Sequence, residues 1–322
     1  MDEQDIRALI TGNPTALAHA VVGDAWSQLI LREAFYGVRR FTDWHSHLGV
    51  PRSVLSQRLE RLQTIGIFKT FVPEGKKKAE YILTPMGLDL IGVALMQGQW
   101  EHKHAPTPMQ RRYSLQFYDA KTGSQIEPVV LDSAGGEPIA SDNVDYRPGS
   151  GLITRDPPPQ RRLSGPRAST ERPMIERSVE IIGDYWAWSI VGCAFFRMRR
   201  FDEMLEATGM APNILSDRLN RLTEQGIFHR DQYHANRLRY DYRLTKAGLD
   251  LHPIVMAMHG WSERWLCNFD NPPLMLVARD SGRRITPVVC AQETGKPVSA
   301  KRLRWRLEAP SRGKSRTVFN TA

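Results

Sequence analysis

The chain has 322 residues, 41% apolar and 25% charged, with 44 Lys+Arg against 35 Asp+Glu and a formal net charge of +9. That length suits two ordinary domains, each able to bury a core, and the composition excludes wholesale disorder. The surplus of positive charge favours a polyanionic partner such as nucleic acid. No apolar run is long enough to span a bilayer, and the opening MDEQD starts no secretory pattern. Cys193, Cys267 and Cys290 lie far apart without CxxC spacing, which argues against a disulfide framework or structural zinc and fits a reducing cytoplasm.

Residues 1–12 carry few clues. From Asn13 an amphipathic pattern begins, with Leu17, Ala20 and Val21 on one helical face. Gly23 breaks it, and Asp24 is placed to cap a helix from Trp26 to Phe35 that buries Trp26, Leu29, Ile30 and Phe35. The basic turn GVRRF leads to a shorter helix, Thr42 to Leu48, ended by Gly49. Then comes PRSVLSQRLERLQTIGIF, Pro51 to Phe68. Its Val54, Leu55, Leu59 and Leu62 keep helical spacing and leave Arg52, Ser53, Ser56, Gln57, Arg58 and Arg61 largely free. Gly66 suits the helix end. IFKTFVPEGKKKAEYIL reads as two short strands around a lysine tip, Lys76, Lys77 and Lys78, and TPMGLDL opens a last helix through Trp100. Helix-turn-helix, basic hairpin and closing helix make the winged-helix order.

The chain then writes this order again. VVGDAW (21–26) returns as IIGDYW (181–186), RRF (39–41) as RRF (199–201), LSQRLERL (55–62) as LSDRLNRL (215–222) and GIF (66–68) as GIF (226–228), all 160 residues on. LTPMGLDL (83–90) and LTKAGLDL (244–251) are 161 apart, so the second hairpin carries one extra residue, where insertion costs least. TGSQIEPVVLDSAGGEP (122–138) resembles SGRRITPVVCAQETGKP (281–297), predicting a small β-unit after each winged domain. The fold expected is mainly α with small β (α+β). Its domains are a winged domain at 13–104, a β-unit at 105–146, an extended mobile Pro/Arg-rich linker at 147–172, a second winged domain at 173–267, a second β-unit at 268–309 and a flexible tail at 310–322.

These residues resemble the HxlR-type family of bacterial winged-helix regulators. The family's Ile-Gly-Gly-Lys-Trp, Leu-Arg-Glu, Arg-Arg-Phe, Leu-Thr-Gln-Arg-Leu, turn glycine and Tyr-x-Leu-Thr fall on Val22–Trp26, Leu31-Arg32-Glu33, Arg39-Arg40-Phe41, Leu55–Leu59, Gly66 and Tyr81–Thr84. The second copy keeps Gly183, Trp186, Arg199-Arg200-Phe201, Leu215–Leu219, Gly226 and Tyr242–Thr245, but has Val191-Gly192-Cys193 for Leu-Arg-Glu. Many members start the first helix with Cys-Pro, and some use that thiol to sense oxidants. Asn13-Pro14 stands there in one copy and Pro173-Met174 near it in the other, which argues against thiol sensing. Ser281 and Thr294 occupy places where cysteines occur in the extension of some relatives, and Cys290 alone remains, so no metal or cofactor is expected.

The resemblance implies a sequence-specific regulator that binds double-stranded DNA, two fused domains acting as a pseudo-dimer in the cytoplasm, on the nucleoid. A helix fits the major groove, where glutamine suits adenine and arginine suits guanine or phosphate. The candidates are Arg52, Ser53, Ser56, Gln57, Arg58 and Arg61, and in the second copy Asn213, Ser216, Asp217, Arg218 and Arg221. Lys76, Lys77 and Lys78, and more sparsely Arg237 and Arg239 beside His234, would meet phosphate or the minor groove. Arg39, Arg40, Arg199 and Arg200 would clamp phosphates, with ion pairs to Glu33 or Asp43 as the competing use. An aspartate at position 217 is unfavourable near phosphate, so the two copies either read different half-sites or divide reading from assembly.

The alternative is a degenerate winged-helix pair that docks another protein without touching DNA. A small-molecule effector, in an apolar pocket between the domains that controls DNA binding, adds to the first reading, and homodimer pairing through the terminal helices stays open; the residues locate neither. His45 and His47, and His102 and His104, are two apart and cannot align two ligands on one helix face. No GxSxG, phosphate-loop, dinucleotide or HExxH pattern occurs, so no enzyme is expected.

Overall fold

A computed structural model describes residues 3–75, 78–104, 114–156, 176–232, 240–268, 270–308 and 316–318. The elements in order are α1 (Glu3–Thr11), α2 (Pro14–Val22), α3 (Ala25–Phe35), α4 (Phe41–Leu48), α5 (Arg52–Ile65), β1 (Phe68–Phe71), β2 (Glu80–Leu83), α6 (Pro85–Asp89), α7 (Ile91–His104), β3 (Ser114–Asp119), β4 (Gln125–Ile126), β5 (Pro128–Asp132) and β6 (Val144–Pro148). The second half follows with α8 (Glu176–Ile182), α9 (Tyr185–Phe195), α10 (Phe201–Thr208), α11 (Pro212–Glu224), β7 (Phe228–Gln232), β8 (Tyr240–Leu244), α12 (Lys246–Leu249), α13 (His252–Trp265), β9 (Leu274–Ala278), β10 (Arg284–Ile285), β11 (Pro287–Ala291), β12 (Leu303–Glu308) and β13 (Arg316–Val318). The fold is mixed α+β, with helices predominating and every sheet small. Among the described residues no helix is long and apolar enough to cross a membrane.

The chain divides into two compact units, and each takes segments from both repeats. One comprises Met1–Gly23, Val130–Arg161 and Glu180–Val288; the other comprises Asp24–Val129, Arg162–Val179 and Val289–Ala322. The exchange is reciprocal. In the unit built on the second repeat, α2 packs on α13, α1 packs on α10, and β6 pairs antiparallel with β9, Val144 opposite Ala278. In the unit built on the first repeat, β12 pairs antiparallel with β3, Leu303 opposite Asp119, and the start of α8 is held by α7. There the Glu101 carboxylate accepts from the amides of Arg177 (3.1 Å) and Ser178 (2.9 Å), satisfying donors that a helix start leaves without partners. Burial pushes the Glu101 carboxyl up, against those hydrogen bonds.

Within each unit the winged domain follows from its sequence. In α5, Leu55, Leu59 and Leu62 are 0–1% exposed, each worth roughly 1.5–3 kcal/mol of burial. Gly66 ends the helix at φ +94°, letting the amide of Ile67 reach the Leu62 carbonyl (2.8 Å). The Thr84 hydroxyl then donates to the Gly66 carbonyl (2.5 Å) and also caps α6, accepting from the Gly87 amide. Thr245 repeats both contacts with Gly226 and Gly248. A Cβ on Gly87 would meet the Ile67 carbonyl oxygen at 2.4 Å, which is why Leu-Thr-x-x-Gly carries a glycine. The first wing pairs β1 with β2, Phe68 opposite Leu83, and the second pairs β7 with β8, Phe228 opposite Leu244.

Several expectations need correction. Residues 1–12, uninformative as sequence, hold α1, with Ala8, Leu9 and Ile10 buried. The closing helix is two helices, α6 and α7, with a break at Leu90. The stretch from Arg147, expected to be an extended mobile linker, is anchored as far as it is described: the amides of Gly149 and Gly151 donate to the Pro273 and Pro272 carbonyls, and that of Arg155 to the Thr11 hydroxyl. Residues 157–175 lie outside the described ones. β13, from the segment expected to be a tail, pairs with β12.

After α3 the chain turns through Gly37 at φ +83°; the equivalent turn after α9 uses Arg197 at φ +65°, a left-handed conformation that a side chain disfavours. Arg197→Gly is therefore expected to raise unfolding stability by about 1 kcal/mol and Gly37→Arg to lower it by a similar amount, read from denaturant midpoints. His252 is buried beside Phe195 and Tyr146, and loss of hydration lowers its pKa to about 4 against a nearby Asp142. A folded-state pKa below the unfolded value means stability present above pH ~6.5 and lost as pH falls through 4. Replacing His252 with Leu is expected to flatten that acid limb by on the order of 3 kcal/mol, read from unfolding at pH 7 and pH 4.5.

Candidate nucleic-acid interface

The exposed helix face is set by one recurrent contact. Asp24 caps α3, accepting from the Ser27 amide (3.2 Å), and the same carboxylate accepts from Arg58 Nε on α5 at 2.8 Å. Asp184 does both for the second repeat, accepting from the amides of Trp186 and Ala187 (3.0 and 3.1 Å) and from Arg218 Nε on α11 at 2.6 Å. The cap of one helix thereby fixes the rotation of another about its own axis. Arg58 and Arg218 are 12% and 23% exposed, so both guanidinium groups lie largely inside the domain.

The rest of the two faces points outward with the same pattern. Arg52, Ser53, Ser56 and Gln57 are exposed on α5, with Arg52 lying over the Phe41 ring at 5.3 Å; Arg61 is half-buried. Asn213, Ser216, Asp217 and Arg221 are exposed on α11. Asp217 forms an ion pair with Arg218, which therefore sits between two carboxylates, and Arg221 approaches Asp184 at 4.0 Å. Gln57 on α5 carries no charge at the equivalent place.

Arg40 and Arg200 sit half-exposed at the starts of α4 and α10. Arg40 bonds Glu80 at the base of the first wing (Nη2 to Oε1 3.2 Å) and Arg200 bonds Glu203 (3.0 Å), so the ion pair foreseen with Glu33 or Asp43 goes to other carboxylates at these two. Desolvation would raise the Glu203 carboxyl, but the amides of Arg200 and Arg199 hold it below the usual range. Arg39 is half-buried and Arg199 exposed; their carbonyls accept from the amides of Tyr81 and Tyr242, so each Arg-Arg-Phe segment lies along the second wing strand. At the wing tip Lys78 is exposed; Lys76, Lys77, His234, Arg237 and Arg239 lie outside the described residues.

Residue reading alone does not find Asp24 and Asp184 as partners of α5 and α11, although both are repeated at the same 160-residue offset as Arg58 and Arg218. It also misses Lys69, Arg230 and Arg243, which are exposed on the wing strands. Arg243 is compensated by Asp231 and Asp241.

The profile of the HxlR-like helix-turn-helix family matches residues 21–130 and 181–270, more than half of the chain and once per repeat. The chain belongs to the HxlR-like helix-turn-helix family. An uncharacterized HTH-type transcriptional regulator of Mycobacterium tuberculosis, Rv3095, is 35% identical over 154 residues, 47% of this chain and 96% of that protein. That relative is thus about one repeat long. YvaP of Bacillus subtilis, also an uncharacterized HTH-type transcriptional regulator, is 30% identical over 95 residues, 29% of this chain and 88% of its own. Among solved structures, that of PA1607 aligns with 41% of this chain and 92% of its own at 34% identity and a TM-score of 0.37. This chain carries two HxlR-like domains of transcription-regulator type in tandem.

The Asp–Arg contact predicts a graded response. Asp24→Ala removes cap and tie together and is expected to cost about 2–3 kcal/mol, while Asp24→Asn keeps a cap acceptor and costs about half as much. Amide exchange in α3 and α5 reads both, and equal losses would show that the cap contributes nothing.

Proposed function

We propose that the chain is a sequence-specific regulator of transcription that binds double-stranded DNA through two unequal winged HxlR-like domains. The observation that carries this reading is the exposed polar face of α5, set over three fully buried leucines and held in rotation by Asp24, in a chain that belongs to a helix-turn-helix family. On this reading α5 enters the major groove, with Arg52, Ser53, Ser56 and Gln57 toward base edges and flanking phosphates. Arg39, Arg40, Arg199 and Arg200 serve phosphate contacts, as do Lys76, Lys77 and Lys78 on the first wing and Arg237 and Arg239 on the second. Arg58 and Arg218 act mainly by orienting their helices.

Asn213, Ser216, Asp217 and Arg221 form the second reading face, which Arg218 orients. Its carboxylate favours a cytosine amino group over phosphate, so the two domains read different half-sites. The reciprocal exchange of α1–α2, α8, β6 and β12 supports the pseudo-dimer, because segments from both repeats complete each unit. The covalent connection makes the second contact with DNA intramolecular. This function requires binding rather than catalysis and places the protein in the cytoplasm, on the nucleoid.

The test is binding to duplex DNA from the chain's own upstream region at several salt concentrations. Affinity should fall steeply with salt, and replacing Lys76, Lys77 and Lys78 with Ala should make the log–log slope shallower by about 0.9 for each phosphate no longer neutralised. Gln57→Ala should weaken binding by roughly 1–3 kcal/mol, and Asp217→Ala should weaken binding to a site with cytosine under α11 by a similar amount while leaving other duplexes bound as before or more tightly. Failure to bind any duplex would sink the reading in favour of a protein-docking module.

A further inference from the structure

The unit built on the second repeat contains a partly open cleft, whose empty space of about 560 Å³ includes open solvent. Its walls are flat. His19 on α2 lies nearly parallel to Trp188 on α9 (18° between planes, centroids 6.5 Å apart) and edge-on to Tyr185 (5.6 Å). Tyr146 and Phe196 form a second aromatic pair at 4.8 Å, and His259 of α13, 1% exposed, also faces the space. His19 Nε2 donates to the Ile182 carbonyl at 2.6 Å, which fixes the ring. None of the described lining residues is Asp, Glu, Lys or Arg; the polar groups include Asn13, Thr15 and Ser189, and His259 lies 3.7 Å from the Glu263 carboxylate.

The equivalent positions of the first repeat are built differently. His19, Tyr185, Trp188 and His259 correspond to Val179, Ala25, Gln28 and Gly98. Gln28 is buried and accepts from Gln97 at 2.7 Å. Most telling is Gly192, which lines the cleft where the first repeat has the buried Arg32; a Cβ there would meet nothing within 4 Å. The second repeat thus has more open space and more aromatic surface at this helix than the first.

We infer that this cleft binds a planar aromatic molecule carrying a hydrogen-bonding group, and that its occupancy is felt by α11. The flat walls select planarity, and the amide of Asn13 with the hydroxyls of Thr15 and Ser189 offers hydrogen bonds. The link to α11 is short. Tyr185 and Trp188 follow Asp184 directly on α9, and Asp184 holds Arg218 of α11 at 2.6 Å. A ligand that orders α9 therefore orders the seat of that arginine. The regulatory sense of this coupling rests on the DNA-binding reading; ligand binding itself does not.

Calorimetric titration of the full chain with 2-naphthol, and with its saturated counterpart decahydro-2-naphthol, tests the site. One 2-naphthol should bind per chain, and the saturated alcohol should bind about tenfold more weakly. Gly192→Leu should fill the space and weaken 2-naphthol by about tenfold or more, with thermal stability kept or raised because glycine is a poor helix former. Trp188→Gln, which installs the residue tolerated at the same place in the first repeat, should also weaken it. Bound 2-naphthol should slow amide exchange across Pro212–Glu224. No binding of 2-naphthol, or equal binding by Gly192→Leu, overturns the site; binding without a change in α11 overturns the coupling. A chain that binds 2-naphthol but no duplex sinks the DNA-binding reading and leaves the site standing.

Discussion

The contact on which the rest depends joins a helix cap to an arginine one helix away. Asp24 and Asp184 would cap their helices without Arg58 and Arg218, and the arginines could sit in solvent without them. Together they fix how α5 and α11 are rotated over their leucine cores, and so which side chains remain outside. An exposed ion pair contributes little, about 0–1 kcal/mol. This one is different in kind, because Arg58 is 12% exposed and Asp24 is also committed to the amide and hydroxyl of Ser27. Desolvation makes loss of either partner costly, while geometry rather than net energy is what the pair supplies.

Around that shared contact the repeats have diverged in a physically consistent direction. The first repeat buries an ionic cluster in which Glu33, fully buried, bonds Arg32 (3.1 Å) and His47 (2.9 Å). The second replaces Arg32 and Glu33 with Gly192 and the fully buried Cys193. Buried ion clusters can be replaced by apolar groups without loss of stability, since desolvation consumes much of their attraction. What the exchange leaves behind is volume, and the aromatic residues of α9 stand beside it. In two identical chains such a change would appear twice; in a fused pair one half can keep the ionic core while the other opens.

Much of the local structure is legible in the residues. The cap at Asp24, the glycine stops, the leucine row of α5 and the two-strand wings all depend on neighbours a few positions away, and each is where periodicity puts it. The repeat itself locates the second domain. What is not legible depends on distant partners. α1 is a helix whose apolar residues find their cover on α10, nearly 200 residues later. The exchange of α2, α8, β6 and β12 leaves no local mark, because each segment would look the same packed on its own repeat. Arg58 looks like an outward reader for a related reason. It lies at the edge of the polar face, and only the position of Asp24 in space turns it inward.

The exchange bears on how the chain can fold. In the unit built on the second repeat, Ala8, Leu9, Ile10, Ala18 and Val22 from the N-terminal helices are all buried, and Val144 adds the strand on the edge of β9. A second repeat made alone would leave that apolar surface and strand edge uncovered, the condition that favours association with another copy. Supplying the covering segments from the same chain removes the concentration dependence that a pair of separate one-repeat chains would face. It also removes the need for the two halves to match. The unequal faces of α5 and α11 and the cleft beside α9 are differences that only such an internal pair can hold in fixed proportion.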